Sequence, residues 1–265
     1  MAQTTQQADS LCVGTWCVDV TDSAGCVSTD CITITEPPAI VITIVGTNVL
    51  CNGVCDGSAT VSMSGGNAPF VYSWSPSGGS GATASNLCAG AYTVTVTDAV
   101  GCVAIVSVTI GEPVILAVAV SGNDAVCNGA CDGDAAASVN GGTSPYTYLW
   151  DDPLAQTTAI ADSLCAGAYN VTITDSNGCT TTGSIAIGEP LAITVALTSN
   201  TSHCGLPDGD ATATPSNGNL PYTYLWNDPL TQTTATATGL LAGGYAVTIT
   251  DSLGCIGTGT ITVSD

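Results

Sequence analysis

Between Ala91 and Asp98 apolar and polar side chains alternate: Tyr92, Val94 and Val96 fall on one side, Thr93, Thr95 and Thr97 on the other. A period of two marks a strand with one buried face, and no window of the chain carries the period of an amphipathic helix. Over residues 39–113 the pattern predicts strands near 39–46, 58–64, 69–75, 82–86, 91–98 and 102–110. Short strands separated by regular turns predict an all-β fold, a sandwich of immunoglobulin-like type.

The last two strands predict a register. An Asp-x-x-Gly turn stands between them at Asp22–Gly25, Asp98–Gly101, Asp175–Gly178 and Asp251–Gly254. Asp favours the first position of a type I turn and Gly the left-handed residue that closes a three-residue hairpin loop. Pairing Asp98 with Cys102 sets Tyr92, Val94 and Val96 opposite Val108, Val106 and Ala104, one coherent core face. The same register near the N-terminus sets Cys17 directly opposite Cys31, close enough for a cross-strand disulfide.

These blocks recur about every 76 residues, the signature of a tandem array. Trp74, Trp150 and Trp226 keep the step, as do Cys26, Cys102, Cys179 and Cys255 and the linkers TEPPAI, GEPVIL and GEPLAI. We read three complete sandwich repeats, 39–113, 114–190 and 191–265, behind a partial repeat, 1–38, that holds the C-terminal hairpin only. Linker prolines stiffen the junctions and stop strand pairing from running through them, which predicts an elongated rod. MAQTTQQADSLC aligns with LAQTTAIADSLC at Leu154–Cys165, so either Met1 is internal to a longer array, with the missing strands upstream, or the hairpin borrows strands from another chain.

Composition narrows the function. The chain has no lysine or arginine and a formal charge of −21, which removes any electrostatic grip on nucleic acid or anionic membrane. It also leaves trypsin-like proteases no site. With 45% apolar residues the chain is not of disordered type. No stretch reads as a signal peptide or is long enough to span a bilayer as a helix, so membrane insertion is not expected.

The 14 cysteines predict disulfides and an oxidising, extracellular setting; zinc sites favour closer pairs or added histidines, and His203 is the sole histidine. A full repeat carries four. The third and fourth (Cys88, Cys102) sit at opposite ends of one strand. The second and third are lost together in the last repeat, as Pro207 and Leu241, which predicts Cys55–Cys88 and Cys131–Cys165. The first and fourth, Cys51, Cys102, Cys127, Cys179, Cys204 and Cys255, pair either within a repeat or between adjacent ones. The second arrangement is Cys51–Cys179 and Cys127–Cys255.

The blocks CNGVCDGSA, PFVYSW and LCAGAYTVTVTDAVGC, and their counterparts CNGACDGDA, PYTYLW and LCAGAYNVTITDSNGC, resemble SprB-type repeats. The third repeat departs from them, with HCGLPDGDA and LLAGGY. The resemblance implies a giant secreted surface protein of Bacteroidetes-type bacteria, of the kind represented by a gliding-motility adhesin exported by type IX secretion. The expected function is a structural segment of a cell-surface adhesin or filament, a stiff protease-resistant stalk. The alternatives are a self-assembling fibre subunit completed by strands from a neighbouring chain, and a spacer in a large secreted enzyme.

Candidate chemistry is sparse. His203 has no second histidine or lysine with which to activate a nucleophile, and Asp151/Asp152 recur only loosely, so the chain is not expected to be an enzyme. No cofactor is expected unless structural calcium binds at Asp56, Glu112 and Asp175, a hard-oxygen set from two repeats and a linker. The same aspartates also serve as turn residues. Phe70, Tyr72 and Trp74, like Tyr146, Tyr148 and Trp150, form an aromatic row, read as core rather than a sugar platform. Expected partners are neighbouring repeats, with surface glycans or substratum as further candidates.

Overall fold

The computed structural model describes residue 4 and residues 6–265. The question of Met1 as internal residue or true start lies outside the described residues. The chain divides into two compact units, Met1–Pro113 and Val114–Asp265.

In the first unit β1 (Gly14–Thr21) and β2 (Val27–Ile34) form an isolated antiparallel hairpin. There follow β3 (Val41–Thr47), β4 (Gly57–Ser64), β5 (Val71–Ser75), β6 (Thr83–Leu87), β7 (Gly90–Thr97) and β8 (Val103–Ile110). They make two sheets, ordered β3-β4-β6 and β5-β7-β8. First, second and fourth strands on one sheet with third, fifth and sixth on the other is the A-B-E and C-F-G order of an immunoglobulin-like sandwich.

The second unit holds the same arrangement twice. Its strands are β9 (Ala117–Asn123), β10 (Gly133–Asn140), β11 (Thr147–Trp150), β12 (Ile160–Leu164), β13 (Gly167–Thr174) and β14 (Thr180–Ile187), then β15 (Thr194–Asn200), β16 (Gly209–Ser216), β17 (Thr223–Trp226), β18 (Thr236–Leu240), β19 (Gly243–Thr250) and β20 (Ile256–Val263). The sheets run β12-β10-β9 and β11-β13-β14, then β15-β16-β18 and β17-β19-β20.

The alternating pattern does what a pleated strand requires. Tyr92, Val94 and Val96 of β7 are buried and stand opposite Val108, Val106 and Ala104. Each sandwich closes on its own core around Trp74, Trp150 or Trp226. The indole N–H groups donate to Gly81 O at 2.9 Å, Thr158 O at 3.0 Å and Thr234 O at 3.0 Å, so each buried ring keeps its polar edge satisfied. The aromatic row is core: Phe70, Tyr72, Tyr146 and Tyr148 pack partly buried against these clusters. Tyr92, Tyr169 and Tyr245 each donate their hydroxyl to the carbonyl four residues back, at Cys88, Cys165 and Leu241, the tyrosine corner of such sandwiches.

First and last strands approach closely where glycine permits it. A Cβ on Gly46 of β3 would lie 2.8 Å from Val108 Cγ2 of β8, and one on Gly183 of β14 would lie 2.6 Å from Val120 Cγ2 of β9. Neither position has room for a side chain unless its neighbour moves.

Candidate functional site at the repeat junction

Within the second unit the two sandwiches meet at the linker Gly188–Ile193, and the first sandwich grips it through its β9–β10 loop. Gly188 N donates to Asp124 Oδ1 at 2.7 Å and Ala125 N to Gly188 O at 3.0 Å. Gly129 N donates to Glu189 Oε2 at 2.6 Å and Asn128 Nδ2 to Pro190 O at 3.1 Å. On the far side Asn217 Nδ2 donates to Ala192 O at 3.0 Å. The linker is thus tied into both neighbours by hydrogen bonds rather than left as a free hinge. In the first unit, Asn48, Gly53, Asn52 and Glu112 make the matching bonds around Gly111–Pro113.

A covalent bond crosses the same junction: Cys127 of the β9–β10 loop is joined to Cys255 of the β19–β20 turn. Aspartates fix both sulfurs in place. Asp132 Oδ1 accepts Val126 N at 2.9 Å, holding the loop that carries Cys127. Asp251 Oδ1 accepts Leu253 N and Cys255 N, both at 2.9 Å, while its Oδ2 reaches across the pole to Asn219 N at 2.9 Å.

Asp98 and Asp175 repeat that pattern, bonding Asn67 N at 3.0 Å and Thr143 N at 2.9 Å besides their own turns. The β7–β8, β13–β14 and β19–β20 turns are thereby stitched to the loops that precede β5, β11 and β17. Burial opposes ionisation of Asp98 and Asp175, but the converging amides outweigh it and hold both carboxyls below their usual range. Asp251 is also lowered, chiefly by the Asn219 amide. A carboxyl more acidic in the folded than in the unfolded state contributes stability above its unfolded pKa, and that contribution is lost as pH falls through the folded value. We therefore predict melting temperatures that are flat from neutrality down to about pH 5 and fall below about pH 4. Asp175→Asn should lower the melting temperature at pH 7, because an amide nitrogen replaces one acceptor, and should flatten the acid limb in a pH series.

The remaining disulfides fall as follows. Cys17–Cys31 bridges β1 and β2 at directly opposed positions. Cys55–Cys88 and Cys131–Cys165 each tie the loop before the second strand of a sandwich to the turn before its fifth. Cys51 and Cys179 are both disulfide-bonded. Cys102 and Cys204, expected to be paired, are free and exposed, as are Cys12 and Cys26. The Cys127–Cys255 bond gives the reason. It joins the first cysteine of one repeat to the fourth of the next, so Cys102 needs a first cysteine that the hairpin lacks. Cys204, one place along from His203 at the position equivalent to Cys127, would by the same rule pair with the fourth cysteine of a repeat following the third.

Each of the carboxylates proposed for calcium accepts a backbone amide. Asp56 Oδ1 accepts Leu50 N at 3.0 Å, Glu112 Oε2 accepts Gly53 N at 2.9 Å, and Asp175 is committed as above. Their counterparts Asp132, Glu189 and Asp251 all lie in the second unit and are likewise bound to amides. Among the described residues no group of three His, Cys, Asp or Glu gathers for a metal. We predict that millimolar calcium leaves the melting temperature unchanged; a calcium-dependent rise would return the ion to the junction.

His203 is exposed, its Nδ1 3.1 Å from Asp208 Oδ2. Asp151 and Asp152 are structural: Asp152 accepts Leu154 N at 3.0 Å and Gln156 N at 2.9 Å, and Asp151 accepts Asn170 N at 2.7 Å. Asp228 and Gln232 repeat the first arrangement. The sequence signal for this loop was the shared Asp-Pro-Leu-x-Gln at Asp152–Gln156 and Asp228–Gln232.

The SprB repeat family model matches the chain three times, at residues 43–79, 119–155 and 194–231. No curated protein matches it. Among solved structures it is similar to a tetra-tandem repeat from the extending region of a large adhesion protein, at 13% identity and TM-score 0.28, covering 97% of this chain and 83% of that one. Domains A168–A170 of titin give 11% identity and TM-score 0.30, with 87% and 100% covered. The N-terminal eight Ig domains of Down Syndrome Cell Adhesion Molecule give 10% and 0.27; the chain covers 95% of itself but about half, 51%, of that chain. The immunoglobulin-like assignment rests on the strand order. Among the described residues no helix is long and apolar enough to cross a membrane.

Proposed function

We propose that this chain is a structural segment of a secreted cell-surface adhesin or filament, a stiff and protease-resistant stalk whose work is mechanical. The observation that carries the reading is the Cys127–Cys255 bond across a hydrogen-bonded linker. A spacer that need only fill distance has no use for a crosslink between neighbouring modules, whereas one under tension does. Absence of Lys and Arg removes tryptic sites, and the negative charge keeps neighbouring stalks apart. Secretion by the type IX route, a part in gliding and contact with glycans or substratum follow from the SprB resemblance and belong to the same proposal.

The test is labelling of intact cells with an antibody to residues 114–265, before and after trypsin. Surface signal that survives trypsin supports the stalk. Signal only after lysis contradicts it. The exposed β1–β2 hairpin favours a second reading, a fibre subunit completed by a neighbouring chain. A denaturing gel of the reduced native polypeptide separates the two: a giant species supports the stalk, a species near 26 kDa the subunit.

A further inference from the structure

The β1–β2 hairpin has the internal geometry of the last two strands of a repeat without its cover. Trp16 stands opposite Ile32 as Tyr92 stands opposite Val108. Trp16 Nε1 donates to Cys12 O at 2.8 Å, the bond Tyr92 makes to Cys88 O. Yet Trp16, Val18 and Val20 are 40, 57 and 63% exposed, whereas the equivalent Tyr92, Val94 and Val96 are 5, 0 and 0% exposed. Ile32 is exposed too. Among the described residues β1 pairs only with β2, while β7 is paired on both edges, by β5 and β8.

Two free thiols hold positions whose equivalents are bonded in the second unit. Cys12 holds the position of Cys88 and Cys165, both bonded to the second cysteine of a CNGxC loop. Cys102 holds the position of Cys255, bonded to the first cysteine of such a loop in the preceding repeat. In the second unit one loop, Cys127–Cys131, makes both kinds of bond at once.

We propose that the hairpin face, Cys12 and Cys102 together form the docking site for one occupant: the first three strands of a further repeat of this type, carrying a single CNGxC loop. Its third strand pairs with the free edge of β1, its first two strands cover Trp16, Val18, Val20 and Ile32, and its two loop cysteines bond Cys102 and Cys12 respectively. Each bond forms as two thiols lose two protons and two electrons to a disulfide oxidant such as oxidised glutathione, which is reduced to two thiols. An unrelated apolar ligand would cover the face but would leave both thiols unexplained. The inference is independent of where the protein resides.

The experiment places residues 114–153 before residue 1, matching the alignment of Leu154–Cys165 with Met1–Cys12, and refolds the extended chain in a glutathione redox buffer. Alkylation is followed by mapping with an Asp-directed protease, since trypsin has no site. The expected result is loss of labelling at Cys12 and Cys102 alone, with the added first cysteine joined to Cys102 and the second to Cys12, while Cys26 and Cys204 stay labelled. Acrylamide quenching of Trp16, the exposed tryptophan, should disappear. Labelling of Cys12 and Cys102 as in the 265-residue chain would overturn the proposal. A variant with both added cysteines changed to Ser should still protect Trp16 while leaving both thiols labelled; a quenchable Trp16 in that variant would show that the face is not the docking surface. Concentration-dependent protection of Trp16 in the 265-residue chain alone would assign the face to a second copy instead.

Discussion

Trp150→Ala is expected to cost the middle repeat about 3–5 kcal/mol, the range for deleting a fully buried aromatic side chain. The indole lies at the centre of its sandwich and donates to Thr158 O. Removing it opens a cavity and strips that carbonyl of its donor. Against a typical domain stability of about 5–15 kcal/mol, the change brings the repeat close to unfolding at ambient temperature. Trp150→Phe should cost less, because the ring refills most of the space and only the hydrogen bond is lost. Urea titration followed by the burial of Tyr146 and Tyr148 would read both. A loss below about 1 kcal/mol for Trp150→Ala would mean that this core does not hold the sandwich.

The second large effect is expected from the double substitution Cys131→Ser with Cys165→Ser. The bond closes a loop with a sequence separation of 34, for which chain entropy in the unfolded state gives about 3–4 kcal/mol. Changing both partners avoids leaving one thiol free to exchange with Cys127. Pro207 and Leu241 provide an internal comparison, since the last repeat folds to the same strand order without this bridge. The substitution should therefore lower the midpoint of the middle repeat and leave its fold intact. A collapse of the β10–β12 pairing in hydrogen exchange would contradict that.

Much of the fold was legible because strand periodicity and turn chemistry agreed. The Asp98–Gly101 turn fixed the pairing of Tyr92 with Val108, and the same rule brought Cys17 opposite Cys31. Joint absence at Pro207 and Leu241 pointed to the pairs that Cys55 and Cys131 make. What sequence could not decide was whether first and fourth cysteines bond within a repeat or across a junction. Both are compatible with the spacing, and only the placement of the β9–β10 loop against the next repeat's β19–β20 turn separates them.

The aspartates were half legible. Asp98, Asp175 and Asp251 were recognisable as turn residues, but their second oxygen reaches an amide some thirty positions back, at Asn67, Thr143 and Asn219. No local rule gives that partner. Nor does any local rule give the amides that Asp56 and Glu112 accept, from Leu50 and Gly53. Cys102 looked paired because it repeats with Cys179 and Cys255, which are bonded; by the pattern of Cys127–Cys255 its partner would be the first cysteine of a loop that the hairpin does not carry.

The central claim is that the Cys127–Cys255 bond takes mechanical load past the folded sandwiches. Pulling the intact chain with optical tweezers from handles at residues 114 and 265 tests it most directly. With the bond closed, tension passes from Cys127 to Cys255 through sulfur, so the stretch between them, a separation of 128 residues, cannot lengthen whatever unfolds inside it. Reduction should then release about 450 Å of additional extension, at ~3.5 Å per residue. Full extension of that stretch in the oxidised protein would contradict the account.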